Sequence, residues 1–306
     1  MADEKKKEPK PLGPQKMTLG IWVGMLFPVV LMLVIVALLF QSKGDGENDA
    51  RSPFEFPLTD TQEGGSLKGG DNTEPQSRKA VRGDMEASPE RTKWNYTKGQ
   101  KSVYLTFDGG PSNVTGRILD TLDQCNVKAT FFVCYHNPEY ADVIAEAASR
   151  GHSIGMLTYS NRYDVCYTSE DAYFADLNRL GEKLKEKLGY VPFLIRFPGG
   201  SSNEGSREYC EGIMSRLSGQ VIERGYQYWD WNVNAGDAAP MSADEIVEKV
   251  FSETEGDNIV LLLHDGEGKE TTAEALKRII EGFDARGYSF AAIDRETLVV
   301  HERIRN

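Results

Sequence analysis

Short apolar runs alternate with longer amphipathic segments from Trp94 to the end of the sequence. The short runs hold five or six residues, many of them β-branched or aromatic, which is typical of buried strands. They predict seven strands, at 103–107, 128–133, 153–157, 193–197, 226–231, 259–263 and 289–293. The amphipathic segments predict six helices, at about 114–124, 138–150, 169–188, 206–224, 242–254 and 272–285. This alternation predicts an α/β domain, 94–306, whose mainly parallel sheet closes toward a barrel.

A different pattern occupies residues 19–40, where 22 residues in succession carry no charge. At 1.5 Å per residue, a helix of this length spans the roughly 30 Å hydrocarbon core of a bilayer. A cleaved signal peptide is the competing interpretation, but its apolar region normally holds about 7–15 residues and ends in small ones. This run is longer and ends in Leu-Leu-Phe, which favours an uncleaved transmembrane helix.

The placement of the lysines predicts the orientation of that helix. Residues 1–18 hold five lysines, and only Lys43 and Arg51 follow the apolar run closely. The positive-inside rule therefore puts residues 1–18 in the cytoplasm and the rest of the chain outside the cell. Residues 41–93 are rich in Gly, Ser, Pro and charged residues and lack a sustained apolar period, so we expect a flexible linker there.

The net charge and the cysteine spacing bear on which partners the protein can bind and on whether its cysteines form a metal site. The net charge is −12, and the first 18 residues are net basic, so the predicted domain and linker carry the acidic excess. An acidic surface argues against binding to nucleic acid. Four cysteines fall in the predicted domain without the CxxC spacing of a metal site: Cys125, Cys134, Cys166 and Cys210. Disulfides and buried free thiols are both compatible with this pattern in an extracellular domain, and both interpretations stay open.

Polar side chains recur where predicted strands end. Asp108 ends the first strand, Arg196 the fourth, Asp230 the fifth and His264 the sixth. Carboxyl ends of parallel strands meet at one edge of a sheet, which is where active sites of such folds lie. The sequence therefore predicts a functional site at this edge.

The segments around these residues resemble five motifs of the NodB-type polysaccharide deacetylases, which form carbohydrate esterase family four. Residues 106–111, Thr-Phe-Asp-Gly-Gly-Pro, resemble the opening motif Thr-Phe-Asp-Asp-Gly-Pro. Residues 151–161, 194–203, 228–232 and 261–265 take the places of the second to fifth motifs. The resemblance covers about residues 100–300 and implies the distorted (β/α)7 barrel of that family.

What the resemblance implies for the site is metal-assisted hydrolysis of an N-acetyl group. Asp108 takes the place of the family's general base, and Arg196 that of the residue that orients it. Asp230 takes the place of the aspartate that tunes the acid histidine, here His264. The residues expected to bind substrate are Phe197, Pro198, Trp231 and Leu262, of which the first and last shape the acetyl pocket.

The three positions that hold the family's divalent metal have changed. The second aspartate of the opening motif is Gly109, and the two histidines of the second motif are Leu157 and Asn161. Glycine and leucine offer no side-chain donor to a metal ion. We therefore expect no metal cofactor. Among the remaining histidines, His152 and His301 are expected away from the site, and only His136 lies where it can replace a lost ligand.

These observations predict a membrane-anchored extracellular protein of cell-wall carbohydrate metabolism that resembles a polysaccharide deacetylase but is catalytically impaired. Its expected partner is an N-acetylated cell-wall glycan or a cell-surface protein. The alternative is an active polysaccharide N-deacetylase with an atypical site. A purely structural extracellular module is less consistent with the retained polar residues.

Overall fold

A computed structural model describes residues 85–91, 93–95 and 99–306. The predicted cytoplasmic tail (1–18), transmembrane helix (19–40) and most of the predicted linker (41–93) lie outside these residues. Among the residues that are described, no helix combines the length and the apolar character needed to cross a membrane.

The described part of the chain contains eight strands and seven α-helices. The strands are β1 (Ser102–Asp108), β2 (Thr130–Val133), β3 (Ser153–Met156), β4 (Leu194–Ile195), β5 (Gln227–Tyr228), β6 (Val233–Asn234), β7 (Asn258–His264) and β8 (Ser289–Phe290). The helices are α1 (Thr115–Gln124), α2 (Asp142–Ser149), α3 (Tyr163–Cys166), α4 (Glu170–Leu188), α5 (Ile213–Glu223), α6 (Ala243–Glu253) and α7 (Glu270–Asp284). Short 3₁₀ turns cover Pro138–Tyr140 and Gly205–Glu208. All seven predicted strands and all six predicted helices are confirmed, whereas β6 and α3 were not predicted.

The strands form one parallel sheet in the order β5-β4-β3-β2-β1-β7-β6, with β8 beside the start of β1. The sheet is a half-barrel, because its paired path stays open between β5 and β6. Trp229 N donates to Ile195 O of β4, and Asn232 N donates to Val260 O of β7, so the link between β5 and β6 pairs with each edge separately. The predicted parallel α/β arrangement is confirmed, and the closure toward a barrel is partial, since the sheet forms a half-barrel.

Helix ends follow local sequence chemistry. Ser242 caps α6 through a capping box, in which its hydroxyl accepts from Glu245 N and the Glu245 carboxylate accepts from Ser242 N. Ser169 accepts from Ala172 N at the start of α4, and Gly189 ends that helix with a φ of 82°. Such caps satisfy backbone groups that the first and last turns leave unpaired.

The core has two layers, one on each face of the sheet. Between the sheet and the helices, Phe107 stacks on Phe131 with ring centroids 5.1 Å apart. On the concave face, Trp94 stacks on Phe193 at 5.3 Å and meets Trp229 edge-on. The concave layer consists of Met85, Phe132, Leu157, Phe193, Leu194, Trp229, Val260, Ile293 and Val299. Apolar side chains therefore fill the inside of the half-barrel and leave polar chemistry to the carboxyl ends of its strands.

All four cysteines lie in the described part of the chain, and all four are free thiols. Cys134 and Cys166 are buried, and burial raises the pKa of each thiol to about 12. Of the two interpretations left open by the sequence, free thiols describe this structure.

His152 is a buried neutral histidine at the amino end of β3. Its Nδ1 accepts a hydrogen bond from Ala129 N at 3.1 Å, and its Nε2 is buried without a partner among the described residues. Burial, with a smaller contribution from nearby Lys128, lowers the pKa of His152 from 6.5 to about 4. Protonation therefore favours the unfolded chain.

We expect the free energy of unfolding to decrease as the pH falls from 6.5, the ordinary pKa of histidine, to about 4, the pKa of His152 in the folded protein. In this interval His152 is protonated in the unfolded chain but neutral in the folded one. By pH 4.5 the loss from this residue is about 2 kcal/mol. In His152→Asn, the amide oxygen can still accept from Ala129 N without titrating. Urea unfolding at pH 7 and 4.5 checks this: the variant should lose about 2 kcal/mol less than wild type. The control, His136→Asn at an exposed histidine, should behave like wild type, and an equal loss in all three proteins would contradict the prediction.

Candidate functional site

The site forms at the carboxyl ends of β1, β4 and β7, of which β1 and β7 are neighbours and β4 is separated from β1 by β2 and β3. Asp108 ends β1 and pairs in register with His264, which ends β7. Arg196 follows β4, and its Nη1 lies 2.7 Å from Asp108 Oδ1. The structure thus brings together three of the four predicted catalytic side chains.

Arg196 is fully buried and satisfied by the protein itself. Its Nε donates to Trp229 O at 2.9 Å, and its Nη2 donates to Asp230 O at 3.1 Å. Its Nη1 donates to Thr106 Oγ1 at 2.9 Å as well as to Asp108. Since none of its surface is exposed, Arg196 positions the site and does not contact a ligand. Removing one partner of such a buried pair typically costs about 3–5 kcal/mol.

Asp108 is buried, with 8% of its surface exposed. Burial raises its pKa, and the nearby charges of Arg196 and His264 oppose that rise. The hydrogen bonds of its carboxylate within the described structure go to Arg196 through Oδ1 alone. The second oxygen is thus available to a ligand or to water.

His264 is held in place by the carboxylate of Asp237. His264 Nδ1 lies 2.8 Å from Asp237 Oδ1, and its backbone N donates to Asp237 Oδ2 at 2.8 Å. Thr272 Oγ1 also donates to Asp237 Oδ2 at 2.8 Å, and Lys269 Nζ donates to Asp237 O at 2.7 Å. Burial lowers the pKa of His264, but the hydrogen bond and charge of Asp237, with the charge of Asp108, outweigh it and raise the pKa overall.

Asp230 does not contact His264, so the predicted pairing of these two residues is wrong. The Asp230 carboxylate instead accepts from Ser201 N and Glu302 N, each at 2.8 Å, and from the Ser201 hydroxyl. Its role is to hold the loop after Arg196 against residues near 302. Asp237 was missed because it follows β6, a strand of two residues that the apolar pattern did not reveal.

The four residues predicted to bind substrate differ in their exposure. Phe197 is fully buried in the layer between sheet and helices, where it contacts Tyr173 and Tyr228, so it presents no surface to a ligand and can shape the site only through packing. Pro198 and Leu262 are also buried. Trp231 is half-buried, and its ring lies 5.5 Å from the guanidinium of Arg196. Of the four, Trp231 is the residue with substantial surface at the site.

Asp265, the last residue of the segment that resembles the fifth motif, holds the loop after β1. Its Oδ1 accepts from Gly110 N at 2.9 Å, and its Oδ2 accepts from Thr115 Oγ1 at 2.8 Å. A Cβ on Gly110 would lie 2.1 Å from Asp265 Oδ2, so only glycine fits there. Burial raises the pKa of Asp265 to about 6.

The residues at the family's metal positions do not fit a metal ion. Gly109, with a φ of 91°, has no side chain and therefore no side-chain atom that could bind a metal, although the space beside it is open. Leu157 is 2% exposed and packs in the concave apolar layer. Asn161 has a φ of 50° and retains only an amide side chain. Across the described ranges, no three His, Cys, Asp or Glu side chains converge on a point that suits a metal.

His136, the predicted substitute ligand, lies beside the site but is paired with a thiol. Its Nδ1 is 2.9 Å from Cys134 Sγ, which also contacts Gly109 O at 3.2 Å. Burial raises the pKa of the Cys134 thiol to about 12. His301 stacks on Tyr228 at 3.7 Å, away from Asp108, and His152 lies at the amino end of the sheet.

We predict that Asp237→Asn lowers the pKa of His264, because it removes the carboxylate charge that stabilises the imidazolium. The matched control is Asp230→Asn, which removes the same charge from a carboxylate that contacts Ser201 and Glu302 instead. NMR titration of the histidine ring protons measures both variants. A drop in the His264 pKa with Asp230→Asn but not with Asp237→Asn would reverse the assignment made here.

Comparison with known proteins agrees with this geometry. The family model for polysaccharide deacetylase matches residues 95–213. A putative polysaccharide deacetylase of Bacillus subtilis is 28% identical over 282 residues, covering 89% of this chain and 91% of the relative. A peptidoglycan-N-acetylglucosamine deacetylase of Bacillus cereus is 31% identical over 201 residues, covering 65% of this chain and 68% of the relative.

A solved structure extends the similarity to the fold. The catalytic domain of a peptidoglycan N-acetylglucosamine deacetylase from Eubacterium rectale is 42% identical, with a TM-score of 0.68. The match covers 72% of this chain and all of that domain. Sequence, fold and site geometry lead to one assignment: this chain belongs to the polysaccharide deacetylase family.

Proposed function

We propose that this protein is a membrane-anchored, extracellular member of the family that binds cell-wall glycan and is impaired as a hydrolase. The observation that carries the proposal is that the chain departs from the family's motifs at the metal positions and keeps the residues that handle protons. Gly109, Leu157 and Asn161 stand at the metal positions, whereas the pair of Asp108 with Arg196 and the pair of His264 with Asp237 are intact.

The chemistry of amide hydrolysis explains why this loss impairs turnover. A metal ion polarises the scissile carbonyl and lowers the pKa of the attacking water, which contributes several kcal/mol to catalysis. A loss of that size slows the reaction by about a thousand-fold or more. Asp108 and His264 can accept and deliver protons, but neither replaces the positive charge beside the carbonyl oxygen.

The retained geometry supports binding. Asp108, the half-buried Trp231 and His264 lie at the carboxyl edge of the sheet, and Arg196 joins the strand of Asp108 to the segment that leads to Trp231. Two of the three relatives named above, those of Bacillus cereus and Eubacterium rectale, are peptidoglycan N-acetylglucosamine deacetylases. A cell-wall glycan that contains this sugar is therefore the ligand we propose.

A second candidate function is slow, metal-independent N-deacetylation of the same glycan. It is favoured by the intact arrangement of Thr272, Asp237 and His264, which holds an imidazole with a raised pKa opposite a carboxylate. Acetate release distinguishes the two functions.

The full-length protein should bind insoluble peptidoglycan saturably and release acetate at least about a thousand-fold more slowly than a metal-loaded relative, with or without added zinc. Asp108→Ala should weaken binding, because it leaves Arg196 without its partner. The matched control is Asp284→Ala, at the last residue of α7, an exposed position. Steady acetate release at the rate of the relative would refute the impaired-hydrolase proposal, and absence of peptidoglycan binding would refute the ligand.

The proposed anchor is the uncharged segment 19–40, with the lysine-rich residues 1–18 inside the cell. Protease added to intact cells should degrade the domain and spare an epitope placed within residues 1–18. A domain that stays protected until the cells are lysed would contradict this topology.

A further inference from the structure

A pair of stacked tyrosines lies at the carboxyl edge of the sheet, outside the cleft described above. Tyr135 follows β2 and Tyr159 follows β3, and their ring centroids are 5.6 Å apart at an interplanar angle of 28°. Tyr135 N donates to Tyr159 O at 3.1 Å, so the backbone holds the two residues side by side. Both side chains are half-buried against the layer between sheet and helices. Together with Arg179 of α4 they form a surface that we call the tyrosine shelf.

Arg179 supplies the charge of the shelf. Its guanidinium carbon lies 3.7 Å from the centroid of the Tyr159 ring, and the residue is exposed. Lys183, one turn further along α4, is paired with Glu186, whereas no carboxylate of the described residues forms an ion pair with Arg179. A guanidinium that stacks by its face keeps its in-plane N–H groups free, in the fork that matches a carboxylate. Arg179 is thus a positioned cation without an anionic partner in the described part of the chain.

The shelf is close enough to the cleft for one sugar chain to cover both. In the sheet, β2 is the neighbour of β1 and β3 is the neighbour of β2, so the ends of β1 and β3 are about 10 Å apart. Cys134 Sγ contacts Gly109 O at 3.2 Å, which joins the segment before Tyr135 to the loop after Asp108. A sugar polymer that leaves the cleft in the direction of β3 therefore passes over the shelf.

The chemistry of the shelf suits a sugar that carries a carboxylate. Tyrosine rings offer a flat apolar surface with a polar tip, and the guanidinium fork binds a carboxylate through two parallel hydrogen bonds. The protein carries a net charge of −12, which repels an anionic polymer at long range, so such a polymer needs a local cation to bind. Peptidoglycan has this chemistry, because alternate sugars of its chains carry a lactyl ether that ends in a carboxyl group.

We propose that the tyrosine shelf is a second glycan subsite, in which Arg179 binds the carboxylate of a lactyl-bearing sugar while another sugar of the same chain occupies the cleft. This inference rests on the proposed function, since it takes the ligand to be a cell-wall glycan. It goes further by naming the residues that select peptidoglycan over a neutral glycan built from N-acetylglucosamine alone.

The experiment is calorimetric titration of the full-length protein in detergent with three β-1,4-linked tetramers. The first is the neutral tetramer of N-acetylglucosamine. The second is the peptide-free tetramer of peptidoglycan, with a free lactyl carboxylate on alternate sugars, and the third is the methyl ester of the second. At about pH 7 only the second carries charge, because its carboxyl groups are ionised. In about 50 mM salt we expect wild type to bind it on the order of five-fold more tightly than the other two.

Two variants separate the effect of Arg179 from that of overall charge. Arg179→Gln keeps a polar side chain but removes the charge, so it should bind all three tetramers with the affinity that wild type shows for the neutral one. Lys185→Gln removes the same charge from another exposed position of α4, about 120° round the helix from Arg179, and should keep the preference. Circular dichroism checks that each variant is folded, and the wild-type ranking of the three tetramers is a test that needs neither variant.

Two outcomes overturn the inference alone: wild type that binds the carboxylate tetramer no more tightly than its methyl ester, or a folded Arg179→Gln protein with an unchanged preference. In both, the glycan ligand of the proposed function survives, because the tetramers still bind. Failure of wild type to bind any tetramer or insoluble peptidoglycan overturns the inference and the proposed function together.

Discussion

A single buried guanidinium organises the carboxyl edge of this sheet. Arg196 follows β4, yet its donors reach Thr106 and Asp108 on β1 and the backbone oxygens of Trp229 and Asp230 after β5. Neither β4 nor the segment after β5 pairs directly with β1, so Arg196 joins parts of the sheet that backbone hydrogen bonds connect only through β2 and β3. A buried arginine left without these oxygens would carry an uncompensated charge, which makes the arrangement strongly interdependent. The position of Asp108, and with it the chemistry of the cleft, follows from this contact.

The site is built from two parts that can change independently. One consists of proton-handling groups, Asp108 with Arg196 and His264 with Asp237, which are mutually supported by buried hydrogen bonds. The other is the metal position, where Gly109 and Leu157 now stand. Neither Gly109 nor Leu157 contributes a hydrogen bond to the first part, so the arrangement of the proton-handling groups does not depend on the side chain at either position. Membership of the family therefore does not by itself establish that this chain catalyses a metal-dependent reaction.

The sequence predicted the elements that lie within longer apolar or amphipathic runs, including the two-residue strands β4, β5 and β8, and missed those that do not. Seven apolar runs and six amphipathic segments correspond to observed elements, because each is long enough to show its period. The strand β6 is two residues long and shows no period, and its absence from the prediction concealed Asp237. Asp230 was chosen instead because its position beside Trp231 matched a motif, whereas side-chain direction decides the partner of His264. Burial of Phe197 likewise depends on tertiary packing, which a motif does not record.

Leu157 shows how packing constrains a position at the inner end of the cleft. Its side chain belongs to the concave apolar layer with Phe132, Trp229 and Val260, so it contributes to folding. A histidine placed there would exchange apolar packing for a buried polar ring, at a cost in folding free energy. The residue at this position therefore answers to the interior of the half-barrel, whatever chemistry takes place at the carboxyl edge.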